Sequence, residues 1–96
     1  MYRNKLLLEI ARESICTVCG NSDGTVVAAH SNQLRDGKGR SIKSHDYRIA
    51  AMCYWCHMEY DQGLKYTKAE KTVMFDEAHR KFIGWLFEND KLLVRR

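Results

Sequence analysis

Apolar positions along the chain change their period several times, and each change marks an element. Between residues 2 and 13, Leu6, Leu7, Ile10 and Ala11 recur at spacings of three and four. Arg3, Lys5, Glu9 and Arg12 fill the positions between them, which predicts an amphipathic helix. TVVAAH (25–30) is a β-branched run entered from the Asp23-Gly24 turn and reads as a strand; YRIAAMC (47–53) reads as a second one. Between them, residues 31–46 are polar, with two glycines and five basic residues counting His45, which predicts a long exposed loop. A short helix is expected from Cys56 to about Gly63. TKAE (67–70) is a capping box, after which Val73, Met74, Ala78, Phe82, Trp85 and Leu86 keep helical spacing to about Asn89. That apolar and aromatic stripe reads as core packing rather than as a base-stacking surface. KLLVRR (91–96) adds a short final strand or frays.

The elements sum to one α+β domain over residues 1–96, with no proline, no low-complexity tract and no sign of a linker. A chain of this length buries a thin core, so a metal staple or a partner subunit is expected to help hold it together. Composition is that of an ordinary globular protein: 45% hydrophobic, 29% charged, mean hydropathy −0.50. The leucine run at 6–8 stops at Glu9, too short for a signal-peptide core or a membrane span. The expectation is a cytoplasmic protein with no membrane partner, in which thiols stay reduced. Net charge is +4 and the pI about 9.0, a mild basic bias that admits a polyanionic partner without requiring one.

The cysteines change the picture most. Cys16 and Cys19 form one C-x2-C pair and Cys53 and Cys56 another, 33 residues apart. Each pair sets two thiolates on one tight turn, and two such turns close a tetrahedral Zn²⁺ site. Gly20, Asn21, Asp23 and Gly24 supply the turn after the first pair. Four thiolates leave no open position for water or substrate, so the expected zinc is structural. His57, directly after the last cysteine, is then free for other work, and Asp61 lies one helical turn beyond it on the same face. An imidazole and a carboxylate so placed can share a hard divalent cation. His30 ends the first expected strand, where the two knuckles can bring it opposite His57. His79 is expected on a solvated helix face.

CTVC (16–19), VVAAH (26–30), the glycine-rich basic loop, IAAMCYWCH (49–57) and Asp61 together resemble the zinc-containing HNH (ββα-metal) endonucleases. The likeness runs over about residues 14–63 and is greatest to short phage and prophage nucleases of the YbcO type and to the RecA-dependent phage nuclease Ref. It implies a ββα-metal core stapled by the cysteine quartet, flanked by an N-terminal helix and a long C-terminal amphipathic helix. It also implies a metal-dependent DNA endonuclease or nickase that hydrolyses phosphodiester bonds. On this resemblance His30 is the general base, His57 and Asp61 are ligands of a catalytic Mg²⁺ or Mn²⁺, and Lys38, Arg40 and Lys43 hold flanking phosphates.

The chain departs from the family pattern at two places. Ala29 stands where an Asp or His commonly adds a metal ligand, so the resemblance leaves the cation a ligand short, with Asp46 or His45 as substitutes if the loop folds inward. The middle Asn of the motif has no counterpart at Asn32, which is too near His30; His45 and Asp46 match its position better. The alternatives are a nucleic-acid-binding zinc module without cleavage, and an adaptor docking through its C-terminal helix, which exposed Phe75 and Leu92 would mark. A nuclease this small that cuts both strands would act as a homodimer.

Overall fold

The computed structural model describes residues 1–96 as an α+β domain with two strands and three α-helices. Helix α1 (Lys5–Ile10) continues into a 3-10 turn, Ala11–Glu13. Strands β1 (Val27–His30) and β2 (Ile49–Met52) pair antiparallel, with Val27 opposite Met52 and His30 opposite Ile49. Helix α2 (Tyr54–Gln62) follows β2 directly, and α3 (Lys68–Glu88) closes the chain. Residues 91–96 form no strand.

Local chemistry sets most boundaries. Asn4 caps α1 by accepting from the Leu7 amide, so the helix starts three residues later than the apolar spacing predicts. Residues 2–4 are freed for the long-range contacts described below. Thr67 accepts from the Glu70 amide at 3.1 Å while Glu70 accepts from the Thr67 amide at 2.8 Å, completing the expected capping box. The loop between the strands is more ordered than its polarity implies. It holds a 3-10 turn at Leu34–Asp36 and a tight turn closed by Gly39 and Ile42. Gly37 links them in the left-handed region (φ +91°), where a Cβ would stand 2.8 Å from the His45 ring, so the position has room for glycine alone.

The core lies between the sheet and α3. All four residues of β2 are buried, and α3 packs across that strand through Phe75, Ala78, Phe82 and Leu86. Small residues at Ala50 and Ala51 let the helix approach the backbone of β2 closely. This stripe corrects the expected one. Val73 is nine residues from Phe82, half a turn out of phase, and is exposed, whereas Phe75 is fully buried and marks no adaptor surface. In α1, Leu6 is exposed and Leu7, Leu8 and Ile10 make the packing face with buried Ala11. His79 is not on a free face either: its Nδ1–H donates to the Ile49 carbonyl at 2.7 Å and its ring stacks on Phe75. No helix is long and apolar enough to cross a membrane.

Candidate metal centre and active-site cavity

The two C-x2-C turns meet. The first is tied to β2 through Thr17, whose amide and hydroxyl both donate to the Ala51 carbonyl. Within it, the Gly20 amide donates back to the Cys16 carbonyl, with Gly20 at φ +80°. The second turn is the start of α2, where Cys53 is the N-cap and the His57 amide donates to its carbonyl. All four Sγ atoms lie within 4.8 Å of one another and none is disulfide-bonded. Bonds of about 2.3 Å at the tetrahedral angle put sulfurs roughly 3.8 Å apart around zinc. Cys19 and Cys53 Sγ are 3.8 Å apart.

The thiols are also unevenly poised. Burial pushes the Cys16 thiol up, yet the amides of Cys19, Cys53 and Val18 outweigh it and take it down to about 7. Burial and the three neighbouring sulfurs raise Cys56. Four thiolates cannot coexist there without a cation among them, and the quartet could hold a structural metal such as zinc. It is the one group of three or more His, Cys, Asp or Glu side chains close enough to share an ion.

A second set of residues forms an open cavity of about 380 Å³. Its wall includes His30 from the end of β1, His57 and Asp61 from α2, and Lys38 and Lys43 from the loop. Five of the residues singled out in the sequence are thereby brought together. Arg40 is not among them, because it sits at the exposed tip of the Gly39–Ile42 turn. Helical geometry explains how adjacent residues reach two sites: a step of one residue turns the side chain by about 100°, so Cys56 faces the quartet and His57 the cavity. Tyr60, buried and stacked on Phe75, accepts from the Asn32 amide and so fixes the loop's first turn to α2. Burial pushes its hydroxyl up to about 12, so it stays protonated.

Each of the two histidines in the cavity has a carboxylate partner. His57 Nε2 and Asp61 Oδ2 are 3.1 Å apart. The hydrogen bond to Asp61 raises His57 against the opposing effect of burial, and the same bond lowers Asp61. Donors in adjacent positions of an octahedral ion with bonds of about 2.1 Å are roughly 3.0 Å apart, so this pair fits two ligands of a hard divalent cation. His30 Nε2 is bonded to Asp46 Oδ1 at 2.8 Å, which leaves Nδ1 without a protein partner. Asp46 is almost fully buried and is held from three sides. Burial works to raise it, but His30, the Asn4 amide on Oδ2 at 2.7 Å and the Arg3 guanidinium on Oδ1 at 3.0 Å bring it below the usual carboxylate range.

These contacts change three expectations. Asp46 is buried and absent from the cavity wall, and both its oxygens accept hydrogen bonds, so it orients His30 and does not face the cavity as a ligand. His45 does not face the cavity: its Nδ1 accepts from the Tyr2 amide and its ring stacks on Tyr47. Ala29, fully buried, points into the core while its neighbours Ala28 and His30 line the cavity. Arg3, Asn4 and Asn32 are the members that sequence reasoning missed or set aside. Arg3 and Asn4 reach Asp46 from 42 to 43 residues away, and no local pattern announces such a contact. Comparison with protein-family models, curated proteins and solved structures found no match to this chain.

Proposed function

We propose that the chain is a metal-dependent DNA endonuclease or nickase of the HNH type, with structural zinc in the cysteine quartet. One observation carries the reading: His30, oriented by a buried carboxylate, shares an open cavity with the His57–Asp61 pair and two lysines. His30 accepts a proton at Nδ1 from a water that attacks the phosphorus of a phosphodiester. The P–O3′ bond breaks, the 5′ side keeps the phosphate, and solvent protonates the released 3′ oxygen. Asp46 holds the imidazole in the tautomer that leaves Nδ1 free to accept, and it stabilises the imidazolium that forms. Lys38 and Lys43 offset the charge of the substrate phosphates, with Arg40 further out. Mg²⁺ or Mn²⁺ held by His57 and Asp61 would polarise the scissile phosphate and offset charge on the leaving oxygen.

The test is the conversion of supercoiled plasmid to open circles with Mg²⁺, Mn²⁺ or Ni²⁺, beside a His30→Ala variant. Nicking by the wild type that falls by about 10²-fold or more in the variant is the expected result. Equal nicking by both removes His30 as the base. Salt-sensitive retention of DNA without cleavage under any metal identifies the chain instead as a binding module.

A further inference from the structure

The cavity described above does not end at His30. A second cavity, of about 500 Å³, shares Ala28, His30 and Lys43 with the first, so the two adjoin and His30 lies on the wall of both. Its far wall is the first helical segment, which contributes Lys5, Leu8, Glu9 and Arg12. Lys5, Arg12, Lys38 and Lys43 therefore converge on the channel: Lys5 and Arg12 line the second cavity, Lys38 the first, and Lys43 both. None of the four is paired with a carboxylate, whereas Arg35 and Arg48 elsewhere are neutralised by Asp76 and Asp36. The channel's own carboxylates are Glu9 and Asp61, and Asp61 is engaged with His57.

We propose that α1 forms a second wall of the substrate channel, where Lys5 and Arg12 hold the backbone phosphates of a DNA strand on one side of the phosphate at His30. The assignment rests on the DNA reading of the His30 cavity and adds to it a subsite from a helix that the resemblance leaves unassigned. Lys5 and Arg12 are seven residues apart, about 10 Å along a helix, a length of duplex axis over which one strand rises by roughly three nucleotides. A reactive histidine at the middle of an open-ended channel, with cations on both arms, suits a strand that continues in both directions. It does not suit a chain terminus. Leu8 gives an apolar floor between the two cations, and Glu9 works against them.

Three proteins test the subsite: the wild type, Lys5→Gln/Arg12→Gln, and Glu9→Gln. All three residues are exposed and α1 packs through other positions, so melting temperatures should agree within a few degrees. Affinity for a fluorescent duplex of about 20 bp is measured by anisotropy over a range of salt. The double variant should bind on the order of tenfold more weakly at low salt, with a salt slope smaller by about two, one per cation removed. Glu9→Gln should bind about threefold more tightly at low salt. Plasmid nicking by the double variant should lose more kcat/KM than hydrolysis of bis(p-nitrophenyl) phosphate does, because that diester carries no neighbouring phosphates for Lys5 and Arg12 to hold.

An unchanged affinity and slope in the double variant overturns the subsite, and so does a wild type that fails to retain DNA at low salt. Nicking that proceeds with the subsite refuted leaves the nuclease reading standing. The predicted loss of affinity with no cleavage of either substrate removes the nuclease reading and keeps the subsite.

Discussion

Asp46 is the side chain on which most of the cavity's order depends. It is held by Arg3 and Asn4 from the N-terminal end of the chain, and it presents Oδ1 to His30 at the end of β1. Replacing it with Asn keeps the shape but removes the charge, and leaves an amide group facing the Asn4 N–H or the Arg3 guanidinium. Asp46→Asn is expected to lower stability by about 2 kcal/mol, as for loss of a charge-assisted hydrogen bond in a buried place. It should lower the kcat for nicking by about 10²-fold with little change in KM, because the imidazole loses its orientation and not its substrate. Its pH dependence has a definite sign. A carboxyl lowered in the folded state contributes stability that is present above its unfolded value, about 3.9, and is lost as pH falls through the folded value. Urea midpoints of wild type and variant should thus differ at neutral pH and converge below about pH 4. Parallel curves across that range would remove the charge from the explanation.

At the scale of elements, alternation along β1 decides what can reach the cavity. Residues 28 and 30 line it, and residue 29, fully buried, belongs to the core. Ala29 is fully buried and does not line the cavity, so an acidic residue placed there would not supply a ligand. Ala29→Asp should lower stability by about 3 kcal/mol or more, by burying a carboxyl without a partner. It should show no gain in nicking with any metal; an increase in cleavage at unchanged stability would mean that the strand turns its side chains the other way. α2 shows the converse arrangement, since one helical turn serves two sites. Cys53 and Cys56 belong to the quartet while His57 and Asp61 belong to the cavity. The period of 3.6 is what lets the sequence C-H stand for two different functions.

For the whole molecule, a metal in the quartet would compensate for a small core. Fourteen buried hydrophobic residues, five of them alanine, hold a sheet of only two strands, and an isolated two-stranded sheet is marginal in water. The first knuckle is anchored to β2 by Thr17 and the second begins α2, so a metal there joins the N-terminal third to the helix that carries His57. Elemental analysis should find about one zinc per chain. Its removal by a strong chelator should lower the melting temperature by more than about 10 °C and abolish nicking even after Mg²⁺ is restored. A metal-free protein that melts at the same temperature would sink the quartet as a staple.

The sequence by itself determined the local elements and the donor sets. Hydrophobic period, the Thr67–Glu70 box and the two C-x2-C spacings are short-range properties, and the α+β class, the helices, the strands and the cysteine quartet all followed from them. The same local logic paired His57 with Asp61, because four residues make one helical turn. Only the tertiary structure decided which face of each element is buried and which distant groups meet. Phe75 rather than Val73 lies in the core because α3 docks on β2 at one rotation, which spacing alone leaves free. Asp46 is an orienting acceptor rather than a ligand because Arg3 and Asn4 arrive from more than 40 residues away and occupy its oxygens. Likewise, α1 became a channel wall only when the sheet placed it beside His30. Contacts of that range depend on how the whole chain packs, and no stretch of sequence carries them alone.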